Sequence, residues 1–187
     1  MFHRKTVMHF VGIPGSIRAA SLNRVLLQAF GTQVEAPHTF GIVDIGDLPL
    51  YSEDLDAHGD RPAPASVTAF RAAIAAADAL VIATPEYNRG YPGALKNALD
   101  WGSRPHGAAP LPNKHVAVIG GGGMTGGLRA QMQLRQVLDG CGCHVLVRPE
   151  LAIRFGETFK DGQLVDPKTI EMLGRIAGAL VSQAQRP

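Results

Sequence analysis

Two short stretches carry residue types and spacings that could do chemistry. The first is Gly-Ser-Ile-Arg-Ala-Ala-Ser-Leu-Asn at residues 15–23. It follows an apolar run and precedes a helical pattern, so it joins a strand to a helix N-terminus. Free backbone N–H groups and the helix dipole converge there and favour an anion. Ser16, Ser21 and Asn23 add short polar side chains, and Arg18 adds a planar charged fork suited to phosphate. Gly15 allows the tight turn out of the strand. No Gly-Lys-Ser/Thr follows, so this is not a nucleoside-triphosphate loop.

The second stretch is Thr-Pro-Glu-Tyr-Asn-Arg-Gly-Tyr-Pro-Gly at residues 84–93. Pro85, Glu86, Tyr87, Asn88 and Gly90 make a loop with an aromatic face, an amide and several backbone donors. A flat ring with a polar edge, such as a flavin, needs that combination. A third segment, Gly120, Gly121, Gly122 and Gly123, is read as a loop after the fourth strand, where bare backbone can approach a ligand. Gly121-x-Gly123-x-x-Gly126 also matches a dinucleotide fingerprint in form. It follows the fourth strand rather than the first and has no acid twenty positions on, which argues against that use.

These loops need a scaffold. Apolar runs at residues 7–13, 39–45, 78–84, 115–119 and 143–147 read as strands, the third almost continuous and so buried on both faces. Helical patterns follow each, with Ser21 as an N-cap, Pro92 in a first helical turn and Pro167 opening the last helix. Residues 47–64 form a long polar loop and residues 148–166 read as irregular. A β-α unit repeated five times predicts an α/β fold: a five-stranded parallel sheet of flavodoxin-like order 2-1-3-4-5 inside a three-layer sandwich, one domain over residues 1–187. In that order the loops after strands one and three meet at the switch point, beyond the carboxyl ends of the strands. They are the two stretches singled out above.

Residues 15–23, the run Pro-Glu-Tyr-Asn-Arg-Gly-Tyr-Pro-Gly-Ala-Leu-Lys-Asn-Ala-Leu-Asp-Trp at 85–101, and Gly-Gly-Leu-Arg-Ala-Gln-Met-Gln-Leu-Arg-Gln-Val-Leu at 126–138 strongly resemble the NAD(P)H-dependent FMN reductase family, which includes chromate and quinone reductases and azoreductase-like flavoproteins. The resemblance runs from Val7 to the final helix. It implies FMN as cofactor and NADPH or NADH as co-substrate. It assigns Ser16, Arg18, Ser21 and Asn23 to the FMN phosphate. Pro85, Glu86, Tyr87 and Asn88 go to the ribityl chain and isoalloxazine, and Gly90 with Gly120, Gly121 and Gly122 to the remaining edge. It also implies a homodimer or homotetramer, with Arg129 and Glu150 as candidates for subunit contact.

The rest of the chain agrees with that reading or excludes others. Net charge is +2 and only 6% of residues are aromatic, which argues against nucleic-acid binding and a polybasic membrane anchor. No signal peptide or spanning apolar run is visible. The two cysteines, Cys141 and Cys143, are two apart, so no disulfide framework is expected and a cytoplasmic location fits. No metal site is expected. The seven histidines show no ligand spacing, and no Ser-His-Asp or paired-carboxylate set is apparent, so no catalytic side chain is named. A flavoenzyme needs none, because the cofactor carries the chemistry. The nicotinamide and a small-molecule electron acceptor (a quinone, azo dye, chromate or free flavin) would use one open flavin face in turn, which predicts ping-pong kinetics. The residues do not decide NADPH over NADH; Arg89 and Arg104 are candidates to meet a 2′-phosphate. The residues also leave open a flavodoxin-like electron carrier and a non-enzymatic sensor that keeps the fold.

Overall fold

A computed structural model describes residues 7–56 and 62–185, without the side chain of Glu157. The basic residues 1–5 and the centre of the long loop, 57–61, lie outside the described residues. The elements run β1 His9–Pro14, α1 Leu22–Thr32, β2 Thr39–Ile42, α2 Ala65–Ala76, β3 Ala79–Ala83, α3 Gly93–Gly102, β4 His115–Gly122, α4 Leu128–Gly140, β5 His144–Val145, β6 Leu151–Arg154, α5 Phe155–Thr158, β7 Phe159–Lys160, β8 Gln163–Leu164 and α6 Pro167–Ala184.

The main sheet is parallel, with order β2-β1-β3-β4-β5, and β6 also pairs with β4. This is the expected flavodoxin-like order. β3 explains why it sits at the centre. All five of its residues are buried, with Leu80 and Ile82 facing one layer and Ala79, Val81 and Ala83 the other. The first layer holds α2, α3 and α4 through Phe70, Ile74, Leu95, Leu99, Trp101, Leu134 and Leu138. The second holds α1 and α6 through Leu26, Leu27, Phe30, Leu173, Ile176 and Leu180. Small residues on the second face of β3 let α1 pack close to the sheet. No helix among the described residues is long and apolar enough to cross a membrane.

Several boundaries differ from those read off the sequence, and of the run read as a strand at 143–147 only His144–Val145 pairs as β5. β2 ends at Ile42 rather than at residue 45. β4 runs on through Gly120, Gly121 and Gly122, which are strand and not loop. Glycine carries no side chain to reveal a strand period, yet these three pair with Ala152, Ile153 and Arg154 of β6. Residues 148–166, read as irregular, hold β6, α5 and the β7–β8 hairpin. The fifth position of the sheet is therefore filled twice. β5 pairs with His115 and Val116 at the start of β4, and β6 with residues 119–122 at its end.

The long loop is strapped down on its described side. Trp101, fully buried, donates its indole N–H to the Pro49 carbonyl at 2.7 Å. Asn97 accepts from the Tyr51 N–H at 2.7 Å and donates to Pro49 at 2.8 Å. Arg71 grips Asp56 with two parallel bonds of 2.7 and 2.9 Å and donates through Nε to the Trp101 carbonyl. Trp101 thus has a structural position.

Candidate functional site

At the end of β1, Gly15 donates its N–H to the Ala83 carbonyl at 2.8 Å, tying the first loop to the end of β3. A Cβ on Gly15 would lie 3.0 Å from that oxygen, so glycine permits the approach. Ser21 caps α1 as expected, its side chain accepting from the Arg24 N–H. The N–H groups of Leu22 and Asn23 stand in the first helical turn, where an α-helix offers no internal acceptor. Ser16 Oγ accepts from the Arg18 N–H and lies 3.3 Å from Tyr87 Oη. Ser16 and Ser21 are buried, while Arg18 is exposed and rests its guanidinium on the Ala20 carbonyl at 2.8 Å.

Loops one and three meet as the strand order requires. One cavity of about 120 Å³ is lined by Ser16, Arg18, Ser21, Asn23, Pro85, Tyr87 and Phe155, among others. Of the predicted phosphate residues, Asn23 is placed differently from the rest. It is 2% exposed, and both ends of its amide are taken by the backbone of Gly121 in β4. It holds the cradle to the sheet.

The second loop is a tight hairpin. Tyr87 and Gly90 exchange two backbone hydrogen bonds of 2.8 and 3.0 Å. Asn88 and Arg89 between them have φ of 51° and 70°. Both positive values mark a type I′ turn, for which Asn is suited at the first place and Gly at the second. Arg89 holds the second place against its steric preference. Gln133 of α4 donates to the Arg89 carbonyl at 3.2 Å and steadies the turn. Tyr87, Asn88 and Arg89 are exposed.

Glu86 turns away from this surface. Its carboxylate accepts from Thr125 Oγ1 at 3.0 Å and from the Arg129 N–H at 3.2 Å, with the Arg129 guanidinium 3.5 Å away. The residue capping α4 is Gly127, which has no side chain to offer. Glu86 supplies the missing acceptor and places its charge at the positive end of the helix. Arg129 is thus engaged within the chain, and Glu150 pairs with Arg148 at 3.6 Å.

The glycines of β4 serve internal packing first. A Cβ on Gly120 would fall 2.1 Å from the Thr84 carbonyl oxygen, and one on Gly121 2.2 Å from the ring of Phe155. Gly122 is different: its missing Cβ points to a space bounded by the N–H groups of Gly127 and Glu86 at 3.5 and 3.7 Å. Next to it, a second cavity of about 430 Å³ is lined by Gly122, Gly123, Met124, Arg154, Phe155 and Gly156. Phe155 is shared by both cavities. Sequence reading missed Phe155 and Arg154. A signal existed, because Leu151 and Ile153 are buried and alternate with exposed Ala152 and Arg154, the period of a strand.

The thiols take no part in this site. Burial pushes Cys143 up to about 12, and Cys141 is also raised, by burial first and then by the Asp100 charge. Neither is a thiolate near neutrality.

The cradle, the hairpin and the strand order meet at one switch point, and sequence comparison decides what they belong to. The family described as NADPH-dependent FMN reductase matches residues 8–158. This chain is a member of that family. It is therefore an oxidoreductase, and FMN with NAD(P)H fits its site. An NAD(P)H-dependent FMN reductase of Pseudomonas aeruginosa is 42% identical over 173 residues, covering 91% of each chain. A 2-hydroxy-1,4-benzoquinone reductase of a Burkholderia species is 42% identical over 164 residues, covering 86% of this chain and 87% of its own. Among solved structures, the flavoenzyme NAD(P)H:(acceptor) oxidoreductase FerB of Paracoccus denitrificans superposes with a TM-score of 0.83 at 36% identity, covering 95% of this chain and 97% of its own.

The residues present fit this family's flavin. A short helix-start cradle with two buried serines and a cation suits a terminal phosphate. The bare backbone of Gly122 beside the backbone nitrogens of Glu86 and Gly127 suits the polar edge of a flat ring.

Proposed function

We propose that this chain is an NAD(P)H-dependent quinone reductase. The observation that carries it is the single cavity in which Ser16, Arg18 and Ser21 meet Pro85 and Tyr87. Bound FMN would supply the redox chemistry, taking a hydride from NADPH or NADH and returning two electrons to the acceptor. Ser16, Ser21, Arg18 and the N–H groups at the start of α1 hold the phosphate. Tyr87 gives one wall, and the N–H groups of the 86–90 loop that the hairpin leaves over, those of Glu86, Asn88 and Arg89, donate along the ring's polar edge, with Gly90 and Gly120–Gly122 closing it. Asn23 and Glu86 lock these pieces to β4 and α4. The nicotinamide and the acceptor occupy the same open face in turn, so turnover is ping-pong. Quinones are the favoured acceptors, given the reductases this chain is similar to; azo dyes, chromate and free flavin are further candidates. We place one such domain in each subunit of a cytoplasmic homodimer or homotetramer.

The test is an absorbance spectrum of protein incubated with FMN and desalted, before and after anaerobic NADPH. Retained flavin bands that bleach, and return on adding 1,4-benzoquinone, are expected. Retained flavin that neither NADPH nor NADH bleaches would make the chain an electron carrier. Failure to bind FMN in direct titration would leave the fold in a non-enzymatic role.

A further inference from the structure

Among the described residues, two buried side-chain polar atoms have no hydrogen-bond partner, His115 Nδ1 and Gln183 Oε1. Both side chains meet His144. His115 opens β4 and pairs in register with His144, the first residue of β5. The two imidazoles are 5.1 Å apart between ring centroids, with their planes 34° from parallel. Strand alternation puts His115 on the same face as Ala117 and Ile119, the face that α6 covers, and the register puts His144 beside it. Gln183, in the last turn of α6, donates its side-chain N–H to the His144 carbonyl at 3.2 Å. The spacing of the two histidines along the chain carries no ligand signature; the parallel register makes the pair.

We propose that His115, His144 and Gln183 form a site for a divalent metal ion of the Zn²⁺, Ni²⁺ or Cu²⁺ class. Imidazole nitrogen suits these ions, whereas Mg²⁺ and Ca²⁺ prefer oxygen ligands. Two imidazoles on one tetrahedral metal, each nitrogen about 2.0–2.1 Å from it, hold their ring centroids about 5 Å apart. The pair has that separation. No group of three His, Cys, Asp or Glu among the described residues could hold a metal, so the third protein donor is the Gln183 amide oxygen, and water completes the shell. Burial first, and then the neighbouring His144, hold His115 below the ordinary histidine range, so it is neutral at pH 7 and offers a lone pair. A cation also suits the place electrostatically. The negative end of the α6 dipole lies here, and no basic side chain stands in its last turn.

Such an ion would have structural work at this place. β5 has two residues and is joined to β4 over His115 and Val116 alone. A metal bound to β4, β5 and α6 together cross-links three elements where the fifth strand is shortest. His144 is exposed, and Gln183 lines an open groove of about 520 Å³ between β5 and α6, so an ion reaches the pair from solvent. The pair stands at the amino end of β4, about 20 Å from Gly122 by the rise of a strand. The inference is therefore independent of the flavin and of the quinone-reductase reading.

The experiment takes the full chain without an affinity tag, strips it with EDTA, desalts it and titrates it with ZnCl₂ by calorimetry at pH 7, beside His144→Gln, His115→Gln and Gln183→Leu. One Zn²⁺ per chain is expected, with Cu²⁺ binding more tightly and Mg²⁺ not at all. Either histidine variant should weaken Zn²⁺ by at least about 100-fold and Gln183→Leu by about 10-fold. Zn²⁺ at about 100 times its dissociation constant should raise Tm by about 5–10 °C in wild type and leave His144→Gln unchanged. Electron paramagnetic resonance of the Cu²⁺-loaded protein should show two imidazole nitrogens in wild type and one in His144→Gln. His144 is exposed, so its variant keeps the fold and decides the matter even where His115→Gln does not fold. Wild type that binds no Zn²⁺ would overturn the proposal. Binding that both histidine variants retain would place the ion elsewhere and overturn it too. Binding lost in the histidine variants and unchanged in Gln183→Leu would overturn the third ligand.

Discussion

The amide of Asn23 clasps both backbone groups of Gly121, accepting from its N–H at 3.0 Å and donating to its carbonyl at 3.4 Å. The two residues are 98 positions apart, and the clasp fixes the first turn of α1 against the middle strand of the site. Asn23→Ala leaves a buried donor and acceptor without partners. The expected loss is about 2–3 kcal/mol, read as a lower urea midpoint. Asn23→Asp keeps an acceptor for the N–H but sets a carboxylate against the carbonyl, so at neutral pH it should lose at least as much. A change under about 0.5 kcal/mol in both variants would show that the clasp contributes little.

Glu86 caps a helix that begins some forty residues later in the chain. Glu86→Ala removes the acceptor for the Arg129 N–H and for Thr125. About 1–2 kcal/mol should be lost, a fall of roughly 2–8 °C in Tm for a chain of this size. Glu86→Gln keeps an acceptor and loses the charge, so its loss should be smaller. FMN titration of both variants should show weaker binding in the same order, because the cap sets the distance between the hairpin and the backbone of Gly122.

Arg89 stands at φ 70°, where its side chain crowds the backbone. Arg89→Gly should stabilise the protein by about 0.5–1 kcal/mol, the strain relieved less the extra freedom of glycine in the unfolded chain. Thermal unfolding of apoprotein decides it. A loss of stability instead would mean that the arginine makes contacts worth more than the strain.

His115 and His144 face each other on β4 and β5 with ring centroids 5.1 Å apart. Burial, and then the neighbouring His144, pull the folded pKa of His115 below its ordinary value. The unfolded chain therefore binds this proton at a higher pH than the folded one. Stability should fall as pH drops through about 6.5 and level off below the folded value. His115→Gln should flatten that part of the profile, measured as urea midpoints between pH 7.5 and 5.5. An unchanged slope would remove His115 as its source.

Much of this was legible in the sequence for local reasons. Ser21 caps α1 and Pro167 opens α6, because both act within one helical turn. The strand order followed from alternating elements and brought residues 16–21 to Tyr87 without any knowledge of contacts. What was not legible is long-range or lacks a side chain. Gly120–Gly122 carry no pattern, though they are strand. The carboxylate of Glu86 is used 43 residues away, and nothing in its own loop signals that. Arg154 ends a four-residue strand whose alternation is too brief to stand out, and Phe155 opens the four-residue helix that follows it.

The divided fifth position has a consequence for life in a crowded solution. An open sheet ends in two margins, each a row of unsatisfied peptide groups on which another chain can lay a strand. Here one margin is the four-residue β2. The other is broken into pieces of two and four residues, with Arg148, Pro149 and Glu150 between them. The first is too short, and the second too broken and too charged at its gap, to recruit a foreign strand. By splitting its last strand, the fold pairs Arg154 with Gly122 and at the same time discourages the chain from aggregating through that margin.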